Sequence, residues 1–207
     1  MERGRYIIID GGEGCGKSTQ IRLLKEFLDE REIRCVFGRE PGGVPEAEAI
    51  RSVCLNKQYD LAPITELFLF EAARTEFFRR VVVPSLNAGQ WVISDRSGFS
   101  TEAYQGYASG LDLGLIRQFN NLATCGVRPD ISFIIDVPVE IGLDKEVAPD
   151  RFATKGIEYH TRVNAGYREI ARANPDICVL LPYISGGIDR TQEQIRNVVR
   201  KRLLGFS

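Results

Sequence analysis

The stretch that decides the fold is residues 5–19, RYIIIDGGEGCGKST. Its apolar run, Tyr6 to Ile9, breaks into the frame Gly11-x-x-x-x-Gly16-Lys17-Ser18, after which Ile21, Leu24 and Leu28 recur at helical spacing. The order is strand, phosphate loop, helix. Glycines let the backbone curl until several N–H groups face one point, and the start of the following helix adds partial positive charge there. A polyphosphate fits that cradle. In such a frame Lys17 bridges the β- and γ-phosphates and the Ser18 hydroxyl takes a place on Mg²⁺. Gly11, Gly12, Glu13, Gly14, Cys15, Gly16, Lys17, Ser18 and Thr19 are therefore the expected ATP-binding residues, the competing reading being a glycine-rich turn without a ligand.

Outward from this loop, 207 residues suit one sizeable α/β domain spanning positions 1–207. A formal net charge of −1 excludes the overall basic excess of a generic nucleic-acid or membrane-surface binder, so any anion site has to be local. Neither a nucleic-acid nor a membrane partner is expected. The five cysteines (Cys15, Cys35, Cys54, Cys125, Cys178) form no C-x-x-C pair and suit free thiols in a reducing cytoplasm. No apolar run approaches the roughly 18 residues of a membrane span, and the chain enters a strand without a signal segment; both point to a cytoplasmic protein. One histidine, His160, is too few for triad chemistry or a histidine-rich zinc site, and it is expected on a helix surface or at an interface.

Along the chain, helices are expected from about Lys17 to Arg31, Pro45 to Leu55, Ser100 to Tyr107, Asp112 to Cys125, Ile157 to Arg172 and Gln192 to Leu204. A longer one opens at Pro63, bends near Pro84 and ends at Asn87-Ala88-Gly89. Strands are expected at Tyr6 to Ile9, Ile33 to Gly38, Trp91 to Ser94, Ile131 to Asp136 and Ile177 to Leu181. Five short, nearly all-apolar strands alternating with helices imply a doubly wound five-stranded parallel sheet flanked by helices. The polar stretch at 144–156, with Lys145, Arg151 and Lys155, is the expected lid, a segment that closes over the phosphates and brings a cation to them.

Arginines recur beside strand ends: Arg39 after the second strand and Arg96 after the third, with Arg51 and Arg74 on the helices between. A planar guanidinium matches phosphate oxygens two at a time, so two or three of these define a second phosphate site. Asp95, directly after an apolar strand, is placed to hold Mg²⁺ while Arg96 holds the phosphoryl acceptor. Phe70 and Arg74 are one helical turn apart, an arrangement in which a ring stacks on a flat base and an arginine donates to its carbonyl. Taken alone, each arginine also reads as a surface ion pair and Phe70 as core. Two polyphosphate sites on one domain suggest phosphoryl transfer between nucleotides, a reaction that needs positioning and charge neutralisation more than a covalent nucleophile.

Together the phosphate loop, REPGG at 39–43, the Phe70–Arg74 helix, Asp95-Arg96, AYQG at 103–106 and RPD at 128–130 before FIIDVPVEIGL resemble the thymidylate kinases. The resemblance runs along nearly the whole chain. It implies the P-loop kinase fold and ATP- and Mg²⁺-dependent phosphorylation of dTMP to dTDP, commonly by a homodimer. It also implies dTMP-binding roles for Glu13 near the sugar 3′-hydroxyl, Arg39, Arg51 and Arg96 at the acceptor phosphate, and Phe70, Arg74, Thr101 and Gln105 at the base. Tyr104 is implied at the 2′ position. Lys17, Asp95, Arg96 and Arg151 are the implied catalytic residues, Arg151 as the lid cation, with Ser18 and Asp95 the implied metal residues. Rival readings are a nucleoside kinase, a GTPase, whose Asn-Lys-x-Asp guanine reader is lacking at Asn56-Lys57-Gln58-Tyr59-Asp60, and a nucleotide-driven assembly switch.

Overall fold

The computed structural model describes residues 3–146 and 150–205. Strands β1 (Tyr6–Gly11), β2 (Cys35–Arg39), β3 (Trp91–Asp95), β4 (Ile131–Asp136) and β5 (Cys178–Pro182) form one parallel sheet in the order β2-β3-β1-β4-β5. Helices α1 (Lys17–Asp29), α2 (Pro45–Cys54), α3 (Pro63–Phe77), α4 (Val83–Asn87), α5 (Gly98–Thr101), α6 (Leu113–Ala123), α7 (Val139–Asp144), α8 (Ile157–Ala173) and α9 (Ile188–Leu203) make the connections. β1 is buried along its whole length because it is the central strand and both its faces are covered. Its side chains alternate between two cores. Ile7 and Ile9 meet Leu24, Phe27 and Leu28 of α1 and Ile195 and Val199 of α9. Tyr6 and Ile8 turn to Phe77, Phe78, Val82 and Leu86 on the opposite face.

Chain order reverses beside β1, since the connections run outward to β2, back to β3, and then across to β4. That leaves a crevice beyond the carboxyl ends of β1 and β3, the place where open α/β sheets hold ligands.

The expected strands and helices are present, with edges moved by one to four residues. α9 begins at Ile188 rather than Gln192, and α7 and a 3₁₀ turn at Ala153–Lys155 lie within or beside stretches read as loop. The helical run from Pro63 widens into a π turn at Phe78–Val82 just before Pro84, whose missing N–H interrupts the regular ladder. A second π turn, Glu102–Ala108, follows α5 and carries Tyr104 and Gln105. His160 corrects the expectation of a surface residue. It is only 2% exposed within α8, its Nε2 lying 3.0 Å from the Phe152 carbonyl oxygen. Of the expected lid, residues 147–149 lie outside the described residues. Among the described residues no helix is long and apolar enough to cross a membrane.

Candidate active site

A cleft of about 550 Å³ occupies the crevice, running from the phosphate loop to the inner faces of α3 and the second π turn. Gly16 caps α1 in the left-handed conformation (φ 92°), a geometry that suits a residue without Cβ, and no side chain caps the first turn of the helix. The N–H groups there are thus open to an anion. Gly14 is equally constrained: φ is 56°, and a Cβ would sit 1.9 Å from the Gly142 carbonyl oxygen of α7. Lys17 Nζ donates to the Gly12 carbonyl at 2.8 Å, which holds the ammonium at the mouth of the loop. Burial pushes the Cys15 thiol up against the opposing pull of Lys17, consistent with an inert filler. Glu13 to Thr19 line the cleft; Gly11 and Gly12 are buried at its base.

At the other side of the cleft three arginines converge. Arg39 is paired with Glu48 at 3.0 Å and remains largely exposed, while Arg51 Nη1 donates to the Pro41 carbonyl at 2.7 Å. Burial and the like charges of Arg39 and Arg96 lower the pKa of the Arg51 guanidinium, with Glu48 and Asp150 opposing. These guanidiniums feel one another, so a phosphate dianion would relieve their repulsion. Arg96 sits at φ 69°, an uncommon conformation for a residue with a side chain. From there its Nη1 donates to the Gly11 carbonyl at 2.9 Å and its Nη2 to Glu13 Oε2 at 2.9 Å. The Tyr104 hydroxyl donates to the other Glu13 oxygen at 2.7 Å. Burial alone would raise Glu13, but Arg96, Lys17 and the Tyr104 hydroxyl outweigh it and hold the carboxyl at about 2.

The base end is organised around Arg74, which is buried. Its Nε donates to Glu40 at 2.5 Å, its Nη1 to Glu71 and to Asn120 Oδ1 at 2.8 Å, and its Nη2 to Thr101 Oγ1 at 3.0 Å. A guanidinium carries five N–H groups; these bonds use four, so Nη2 keeps one for the cleft. Burial drives the Glu40 carboxyl up to about 7 even though Arg74 pulls the other way and Glu71 and Asp10 add to the rise. Phe70 is half-buried at the cleft wall, its ring 5.7 Å from that of Phe152, which in turn stands 5.9 Å from Tyr104.

Arg151 is not brought to the phosphate loop. It is buried, with Nε donating to the Cys54 carbonyl at 3.0 Å and Nη1 to Glu66 at 2.6 Å, and it does not line the cleft. Asp150 accepts from the Phe152 and Ala153 N–H groups at 2.7 and 3.1 Å, folding the turn so that Phe152 faces the cleft and Arg151 faces α3.

The sequence reading passed over Asp10, Glu40, Glu66, Glu71, Asn120, Phe152 and Tyr167. Asp10 is fully enclosed, and its Oδ1 accepts from the Gly11 N–H, Ser100 and Tyr167 at 2.9, 2.7 and 2.6 Å. A carboxylate at the end of an otherwise apolar strand was the available signal for it.

Asp95 Oδ1 is buried without a partner and Asp95 lines the cleft, as does the exposed Ser18. Two hard oxygen donors beside a phosphate loop fit Mg²⁺. Among the described residues no group of three or more His, Cys, Asp or Glu could hold a metal ion.

A family model described as thymidylate kinase matches residues 9–195. A thymidylate kinase of Rhodopseudomonas palustris (strain BisB18) is 40% identical, over 98% of this chain and 91% of the relative. One of Citrifermentans bemidjiense is 38% identical, over 97% of this chain and 93% of the relative. The crystal structure of thymidylate kinase from Ehrlichia chaffeensis superposes with a TM-score of 0.81 at 36% identity, covering 96% of this chain and 99% of that one.

Proposed function

The chain belongs to the thymidylate kinase family and phosphorylates dTMP to dTDP, with ATP the donor that the family implies, and from that premise we propose how its cleft divides the work. One observation carries the division: a phosphate loop at one end of a single cleft faces three converging arginines and a buried arginine with one spare N–H at the other.

The loop N–H groups and Lys17 hold the donor phosphates. Ser18 and Asp95 hold Mg²⁺, which supplies charge neutralisation on the donor oxygens when bound. Arg39, Arg51 and Arg96 take the acceptor phosphate, and Arg96 also touches the Gly11 carbonyl and Glu13, so one guanidinium spans the two sites. The acceptor oxygen then meets the γ-phosphorus in line, with Lys17 and Arg96 already held by backbone carbonyls and Glu13 before the reaction begins. Glu13, held ionised between Arg96 and Tyr104, is placed to accept from a sugar hydroxyl. Phe70 stacks on the base, Arg74 donates its spare N–H to a base carbonyl, and Thr101 and Gln105 line the same end. Tyr104 crowds the 2′ position. Arg151, bound to Glu66, serves as the lid cation only if it leaves that carboxylate.

Apolar side chains exposed on α3 and α6, Phe68, Leu115 and Leu122, support a homodimer through that face. The five free cysteines support a cytoplasmic setting. The assignment of the loop is tested with Lys17→Ala, which should abolish turnover while dTMP still binds in a calorimetric titration. Turnover near the wild-type rate would remove Lys17 from the donor site.

A further inference from the structure

Glu66 lies on α3 with its carboxylate fully enclosed, and three donors from two distant parts of the chain converge on it. Gln105 Nε2 donates to Oε2 at 2.9 Å; Arg151 Nη1 and Lys155 Nζ donate to Oε1 at 2.6 and 2.9 Å. Two cations against one carboxylate compensate the buried charge, and each carboxylate oxygen is engaged.

The consequence falls on Gln105. An ionised carboxylate only accepts, so the Gln105 amide has to present its NH₂ to Glu66; the reverse orientation would set oxygen against oxygen. Gln105 lines the cleft, and among the described residues its Oε1 has no protein partner, so an acceptor is what it offers to a ligand. Thr101, four residues earlier, holds Arg74 Nη2 at 3.0 Å, which leaves the remaining Arg74 N–H to the cleft that Gln105 also lines. The wall of the cleft thus reads donor, then acceptor. A pyrimidine with a carbonyl at C4 and a proton on N3 matches both. One with an amino group at C4 and a bare N3 meets donor with donor and acceptor with acceptor.

We propose that Glu66 is a specificity-determining positioning residue: it fixes the orientation of the Gln105 amide, and so makes the acceptor site select 4-oxo over 4-amino pyrimidine monophosphates. The proposal rests on the acceptor-site reading above. Glu66 touches no substrate and acts through Gln105, while Arg151 and Lys155 make its burial possible.

The test compares kcat/KM for dTMP and dCMP, with ATP and Mg²⁺, in the wild type, Glu66→Gln, Gln105→Ala and the double variant, thermal unfolding reporting that each is folded. The neutral amide of Glu66→Gln can donate as well as accept, so Gln105 is free to turn. The dTMP:dCMP ratio should fall about 10- to 100-fold, carried by KM for the nucleotide monophosphates, with KM for ATP unmoved. Gln105→Ala should lower the ratio similarly, and the double variant should lower it no further. A ratio in Glu66→Gln equal to that of the wild type, or independent losses that multiply in the double variant, would overturn the role of Glu66.

A measurement on the wild type guards against a variant that does not fold. N3-methyl-dTMP lacks the proton that Gln105 accepts and should bind at least about tenfold more weakly than dTMP; undiminished binding would overturn the assignment. Absence of any dTMP turnover in the wild type would defeat the acceptor-site reading and this inference with it, an outcome distinct from selectivity that survives Glu66→Gln.

Discussion

Replacing Arg74 with alanine removes the cation at the centre of the base end, and the structure separates two costs. The first is to folding. Glu40 and Glu71 would face each other in the interior without their shared counter-charge, and each already has one buried oxygen without a partner, Oε1 of Glu40 and Oε2 of Glu71. Breaking a buried pair in this way costs about 3–5 kcal/mol, softened if Glu40, already up at about 7, takes a proton. The second cost is to recognition. The one spare N–H makes a single charge-assisted hydrogen bond to the base, worth about 1.5–3 kcal/mol, or roughly 10- to 150-fold in the dissociation constant for dTMP. ATP affinity should be unchanged, because the phosphate loop shares no bond with Arg74. Urea unfolding gives the first quantity and calorimetric titration of each nucleotide the second. Arg74→Lys should recover part of the stability but little of the dTMP affinity, since an ammonium cannot reproduce the four-way fork. Equal losses for dTMP and ATP, or a stability loss below about 1 kcal/mol, would refute the reasoning.

Two further outcomes follow from the Glu13 cluster. Its carboxyl is held at about 2 against an ordinary 4.5, so its contribution of about 3 kcal/mol is complete above pH 4.5 and is lost as pH falls through 2. The stability difference between wild type and Glu13→Gln, measured by urea unfolding, should therefore be roughly 2 kcal/mol smaller at pH 3 than at pH 7, and a difference independent of pH would contradict the pairing with Arg96. Tyr104→Ala opens the space beside Glu13 and should narrow the preference for dTMP over its ribosyl counterpart by roughly tenfold in kcat/KM; an unchanged ratio would take Tyr104 away from the 2′ position.

Much of this architecture is written locally. The phosphate loop announces itself because its glycines, lysine and serine are contiguous, and the strands announce themselves because a parallel sheet covered on both faces needs unbroken apolar runs such as Tyr6 to Ile9. Two of the cleft-lining arginines follow from the same rule, since Arg39 ends β2 and Arg96 directly follows β3, where the sheet holds its ligands. What was not legible is the charge network beneath them. Glu66, Glu71 and Glu76 are spaced evenly on one helical run and look alike in sequence, yet Glu66 and Glu71 are buried and Glu76 is not. Their partners decide it, and Arg151 reaches Glu66 from 85 positions away. Arg151 illustrates the converse: a position inside the polar stretch 144–156 suggests a lid cation aimed at the phosphates, and only the Asp150 turn and the aromatic seat of Phe152 show why it turns inward. The π turn at Glu102–Ala108 looks like ordinary helix in sequence, because the widening leaves no mark in hydrophobic spacing.

The central claim is that one cleft joins a donor phosphate to an acceptor that carries its own phosphate. ADP release from ATP in the presence of Mg²⁺, compared with dTMP, thymidine or no acceptor, tests it most directly. dTMP should stimulate release strongly and thymidine negligibly, because thymidine leaves Arg39, Arg51 and Arg96 without an anion to bind. Stimulation by thymidine equal to that by dTMP would contradict the account and reassign those arginines to structure.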